Sequence, residues 1–110
     1  MSTGAYIVMM STVSSDIEGK RIAEELINRG LAACVNVIPG VTSYYKWHGK
    51  SEVGHELLML IKTRVSNYET IRDAIEELHS YEVPEVVALP IMSGDESYLK
   101  WIDECLGGEK

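Results

Sequence analysis

Three histidines (His48, His55, His79) and two cysteines (Cys34, Cys105) are the side chains in this 110-residue chain best suited to a borderline or soft metal ion, beside 17 carboxylates. No two of these five sit at short chelating spacing, so an intrachain site has to be assembled by folding. His79 has the richest surroundings. Tyr81, Glu82 and Glu85 follow it, grouping an imidazole, a phenol and two carboxylates at the entry to a strand. A histidine at a helix C-terminus, stabilised by the helix dipole, accounts for the same residue equally well. Cys34 reads either as a small buried hydrophobe or as a thiolate ligand, and Cys105 as core. His48, beside Trp47 at a turn, and His55 read as solvated or subunit-contacting imidazoles. Trp47, Tyr44 and Tyr45 either line a pocket or anchor a neighbouring subunit, and Met9, Met10 and Met59 read as core before copper ligands.

Composition narrows the field. Lys and Arg total 10 against 17 Asp and Glu, a net charge of −7, so the summed field repels nucleic acid and anionic membranes and favours cations. Hydrophobic residues at 45% and charged residues at 25% match a globular domain, and the length supports one domain, residues 1–110. Two cysteines with no C-x-x-C pair suit a reducing compartment. No apolar stretch approaches the roughly 18 residues of a membrane span and no leader pattern opens the chain, so a cytoplasmic protein is expected. Phosphate-binding glycine loops, zinc-protease and metal-carrier motifs are missing, and no nucleophile has a base beside it in sequence, so no enzyme is expected.

The elements that must position these residues follow from periodicity. Residues 6–10 form an apolar run ended by Ser11 and Thr12, a buried strand. Ser15 and Glu18 make a capping box ahead of a stripe of Ile22, Ala23, Leu26 and Ile27, with Gly30 as the stop. Residues 33–47 alternate as a strand that Pro39 and Gly40 kink or bulge. A glycine turn at 48–50 leads to a strand over 56–63. Ser66 and Glu69 suggest a second capping box before Ile71, Ala74, Ile75 and Leu78. Residues 86–92 form a strand in which Pro90 suggests a sheet edge or a bulge, and Tyr98, Trp101, Ile102 and Cys105 predict a last helix. The order β-α-β-β-α-β-α is an α+β, ferredoxin-like βαββαβ sandwich with an extra C-terminal helix. Leu57, Met59 and Ile61 point to one sheet face, Leu58 and Leu60 to the other. Two helices cover only one face, so a homo-oligomer is expected to cover the second.

Longer blocks carry a resemblance: 31–43 (LAACVNVIPGVTS), Tyr45-Lys46-Trp47, Ile61-Lys62-Thr63 and 81–91 (YEVPEVVALPI) resemble the CutA family of divalent-cation-tolerance proteins from about Tyr6 to Ile102. The resemblance implies a homotrimer similar in architecture to PII signalling proteins, no required cofactor, and a divalent metal ion, copper favoured, as partner in metal homeostasis. A signalling or scaffold trimer that binds a small ligand or protein in its intersubunit cleft is the alternative. The family's His-Pro-Tyr-Glu block falls on His79-Ser80-Tyr81-Glu82, making His79 the implied metal ligand. Ser80 replaces the proline, which is expected to loosen that corner. Some relatives carry cysteine where Ser11 stands, a hard and poor copper ligand. Cys34, Trp47, Tyr81, Glu82 and Glu85 match positions resembling a polar intersubunit cleft.

Overall fold

The computed structural model describes residues 5–107. Along the chain come β1 (Tyr6–Val13), α1 (Asp16–Asn28), β2 (Cys34–Trp47), β3 (Lys50–Arg64), a 3-10 turn (Val65–Asn67), α2 (Tyr68–Leu78), β4 (Val87–Pro90) and α3 (Glu96–Cys105). The strands pair antiparallel in the order β2-β3-β1-β4, so the expected α+β βαββαβ layout with an added helix is the observed one.

β1 runs three residues past the apolar segment because Ser11, Thr12 and Val13 keep their ladder partners Met59, Leu58 and Leu57. Odd positions of β1 (Ile7, Met9, Val13) and of β3 (Met59, Ile61) pack under α1 and α2 with Ile22, Leu26, Ile71 and Ile75. Met9 and Met59 are thus core. Ser11 lies on the same face, and its Oγ is buried with no hydrogen-bond partner among the described residues. An unsatisfied buried hydroxyl costs stability that alanine does not. Ser11→Ala is therefore expected to stabilise the fold by about 1 kcal/mol, read as a higher denaturant midpoint at unchanged slope.

α1 opens at the Ser15 cap that its sequence indicates, but the return arm of the capping box goes from Glu18 to the Ser14 amide and not to that of Ser15. The Glu18 amide donates to Ser15 Oγ at 3.1 Å, and Gly30 follows the helix at φ 71°, a conformation that favours glycine. Ile27, expected in the stripe, is 41% exposed and lies on the outer flank. The second capping box does not form. Residues 65–67 make a 3-10 turn, and α2 starts at Tyr68 without a side-chain cap. Asn67 instead reaches the Leu31 carbonyl at 3.1 Å and ties the loop after α1 to β3.

α3 is rotated from the expected stripe. Leu99, Ile102 and Leu106 pack on Tyr6, while Tyr98 and Trp101 stay half exposed and Cys105 sits at the margin. Asp103 clamps it, accepting from the Tyr6 hydroxyl and from Arg64, each at 2.6 Å. α3 therefore covers one end of the second sheet face, which neither α1 nor α2 reaches. The rest of that face (Val8, Met10, Leu58, Leu60, Val87, Leu89) carries no layer in a single subunit.

β2 bulges as Pro39 and Gly40 predict. Ile38 stands opposite Leu58 but Val41 opposite Glu56, so β2 carries one extra residue, with Gly40 at φ 86°. The insertion flips the phase of everything beyond it. Before the bulge the even residues of β2 share a face with Leu58 and Leu60; after it the odd residues Ser43, Tyr45 and Trp47 do. The hairpin closes at His48 (φ 51°) and Gly49 (φ 79°), a two-residue turn with both central residues left-handed, so β3 begins at Lys50, well before residue 56.

Candidate functional site

The bulge aims Ser43, Tyr45 and Trp47 across the end of β1 toward residues 81–85, the segment linking α2 to β4, and a cleft of about 760 Å³ lies between them with Thr12 and Glu56 in its lining. Glu56 joins the two sides. Its carboxylate accepts from Ser43 Oγ at 2.5 Å and from the Tyr81 hydroxyl at 2.7 Å. Burial, together with donation to the Glu56 carboxylate, pushes the Tyr81 phenol well above its ordinary range, so it stays protonated and acts as a donor.

His79 lies behind this wall. Its side chain is fully buried. Nε2 is 2.6 Å from the Thr12 carbonyl and Nδ1 accepts the Tyr81 amide at 3.0 Å, an arrangement that fixes the neutral ring with the proton on Nε2. Glu18 Oε2 approaches Nδ1 at 3.5 Å. In this tautomer neither ring nitrogen has a free lone pair, and a metal ion reaching His79 would have to displace one of these bonds. Among the described residues no three His, Cys, Asp or Glu side chains converge on a point that could hold a metal ion. The residues of a single subunit therefore do not fit a copper centre at His79.

Glu18 is the residue that sequence reasoning undervalued. Beyond the cap, its Oε1 accepts from the Ser14 amide and hydroxyl at 3.2 and 3.1 Å, and its Oε2 from the Ser80 amide at 2.6 Å. Burial alone raises its pKa, but the donors from Ser80 and Ser14 outweigh it and hold the carboxyl below its ordinary value. The Ser80 bond corrects an expectation. Proline at that position has no N–H to give, whereas Ser80 ties the corner to α1 rather than loosening it.

Of the residues singled out in the sequence, Trp47, Tyr81, Glu82 and Glu85 meet in the cleft and His79 supports it from beneath. Cys34 does not join them. It pairs with Lys62 on the open sheet face, four residues along β3 from Leu58, roughly 13 Å away at the usual rise per residue. Tyr44 borders the cleft from the opposite face of the ribbon and is 79% exposed. Glu56, not singled out in the sequence, is central. Its signal was its position two residues before Leu58 on the same face, readable only once the bulge is known.

The chain's relatives agree with this architecture. The family model described as CutA1 divalent ion tolerance protein matches residues 7–105. The divalent-cation tolerance protein CutA of Thermus thermophilus is 43% identical over 100 residues, 91% of this chain and 97% of that protein. Human protein CutA is 41% identical over 99 residues, and this chain spans about half of its length, 55%. The crystal structure of CutA1 from Oryza sativa superposes with a TM-score of 0.92 at 40% identity, covering 99% of this chain and all of that one. Relatives carry chloroplastic and periplasmic in their names, from Arabidopsis thaliana and Archaeoglobus fulgidus. Among the described residues no helix is long and apolar enough to cross a membrane. With a family match over nearly the whole chain and a shared fold, the protein belongs to the CutA1 divalent ion tolerance family.

Proposed function

We propose that this protein is a cytoplasmic, non-enzymatic homotrimer that serves divalent-cation tolerance by binding a ligand in the cleft beside Tyr81. The observation that carries this reading is the double anchoring of Tyr81. His79 holds its amide and Glu56 its hydroxyl, so the cleft wall is fixed before a ligand arrives. Family membership supports the physiological setting, since the Thermus thermophilus relative is named for divalent-cation tolerance.

Direct binding of copper at His79 is the second reading, favoured by Glu18 Oε2 lying 3.5 Å from Nδ1, one nitrogen and one oxygen donor side by side. Native mass spectrometry with one equivalent of copper(II) per chain, against a chelated control, separates the two. A trimer that keeps no stoichiometric copper is the expected result. A trimer carrying one copper per chain, lost in His79→Ala, would replace the cleft reading by the second.

A further inference from the structure

The cleft's charge and its walls point in one chemical direction. Its charged lining residues are all carboxylates, Glu56, Glu82 and Glu85, with no lysine, arginine or histidine among them. Glu56 is committed to Ser43 and Tyr81. Glu82 and Glu85 are exposed and form no ion pair among the described residues. His48, whose ring meets Trp47 edge-on at 4.8 Å, and Lys50, opposite Trp47, stand at the hairpin tip outside the lining. Three negative charges along a concave surface, in a chain of net charge −7, focus a field that concentrates cations and repels anions.

The walls decide which kind of cation. Tyr45 and Trp47, two residues apart on one face of β2, are 49% and 40% exposed in a single subunit, on the hairpin extension of the face that carries Leu58 and Leu60. A side chain at Gly54 would meet the Tyr45 ring at 3.5 Å, so that ring lies over the strand toward Glu56. Aromatic faces offer a hydrated inorganic ion nothing in exchange for its water. They attract an organic cation held within about 6 Å of the ring centre. A divalent metal ion needs oxygen or nitrogen donors converging on one point, and the described residues provide no group of three. A neutral apolar molecule would leave Glu82 and Glu85 without a counter-charge. The volume, about 760 Å³, lies within the range of about 300 to 1,000 Å³ usual for small-molecule sites.

From this geometry we infer that the cleft takes a small organic cation, an alkylammonium or quaternary ammonium group carried on an apolar body. The ammonium lies between the Tyr45 and Trp47 faces and the Glu82 and Glu85 carboxylates, and the apolar body rests along Val83 and Pro84. This assignment rests on the cleft being the binding site, as proposed above.

Isothermal titration of the assembled protein with benzyltrimethylammonium, phenylacetate and benzyl alcohol tests it, because the three share a benzyl body and differ in charge. The expected result is binding of the ammonium alone, weakened about tenfold in the Glu82→Gln/Glu85→Gln double variant and about as much in Tyr45→Leu, and weaker at high salt. Glu82 and Glu85 are exposed and unpaired, so their neutralisation leaves folding intact. Phenylacetate or benzyl alcohol binding as tightly as the ammonium, with the loss in Tyr45→Leu retained, overturns the cationic class and leaves the cleft as a binding site. Ammonium binding that neither variant weakens overturns the location. Displacement of the ammonium by equimolar calcium reassigns the carboxylates to a metal ion, and no binding of any probe at millimolar concentration overturns this inference together with the cleft reading.

Discussion

Glu18→Ala is expected to destabilise the protein by about 3 kcal/mol, more than any surface carboxylate replacement in the chain. Glu18 is 6% exposed and takes donors from both Ser14 and Ser80, joining the end of β1, the start of α1 and the corner after α2. Removing it strands the Ser80 and Ser14 amides and opens space beside His79. Glu18→Gln keeps the shape but removes the charge together with one acceptor oxygen, so its amide NH2 would face one of the Ser14 or Ser80 N–H donors. The pH dependence has a fixed sign. The folded carboxyl titrates below the ordinary glutamate value of 4.5, so the unfolded chain binds more protons as pH falls through and below that value. The stabilisation is complete above about pH 5 and is lost as pH drops through the folded value. The difference in unfolding free energy between the wild-type protein and Glu18→Gln should therefore shrink between pH 6 and pH 3. Asp103, also held below its ordinary value by Tyr6 and Arg64, is present in both proteins and cancels. A difference that stays constant with pH would mean the carboxylate carries no special stability.

Legibility in the sequence followed the range of the interactions. Turn and edge chemistry is local, so Gly30, the Pro39-Gly40 bulge, the His48-Gly49 turn and the edge position of Pro90 were all readable. Helix faces were readable where one stripe dominates, as with Ile71, Ala74 and Ile75 in α2. They were ambiguous in α3, where Tyr98, Trp101, Ile102 and Cys105 compete with Leu99, Ile102 and Leu106 at similar spacing. Only tertiary contact with Tyr6 decides between them. The Ser66–Glu69 pattern failed because residues 65–67 wind into a 3-10 turn ahead of α2, and Asn67 Nδ2 donates to the Leu31 carbonyl, more than thirty residues away. The same distance effect hid the site. Glu18 had a complete local explanation as a capping residue, and nothing local shows that Ser80 completes its coordination. Glu56 could be placed in the cleft only after the bulge had set the phase of β2 against β3. Cys34 was a candidate for an intersubunit cleft through the family resemblance, and within one subunit the register places it at the other end of β3.

Leu89→Glu is expected to turn the proposed homotrimer into a monomer at micromolar concentration without unfolding the subunit. On the face that α3 leaves open, Leu89 stands beside Val8, Val87 beside Met10, and Leu60 across from Met10. Leu89 is 53% exposed in a single subunit, so a glutamate there meets water in the monomer. In an assembly that buries the face, each copy would bury an unpaired carboxylate at a cost of at least about 3 kcal/mol. A second apolar patch lies elsewhere. Tyr44 and Val53, directly opposed on the face of the hairpin opposite to Tyr45 and Trp47, are 79% and 56% exposed. Two different patches on one subunit suit contacts between unlike surfaces, which form a ring where the rotation closes, as a trimer requires. Sedimentation of wild-type protein as a trimer and of Leu89→Glu as a monomer with unchanged far-ultraviolet circular dichroism would establish this arrangement. Ile17→Glu, on the outer side of α1 at 82% exposure, is the control expected to remain trimeric. A Leu89→Glu protein that still sediments as a trimer would show that the open face lies outside the assembly. The apolar residues of β1, β3 and β4 would then need another partner.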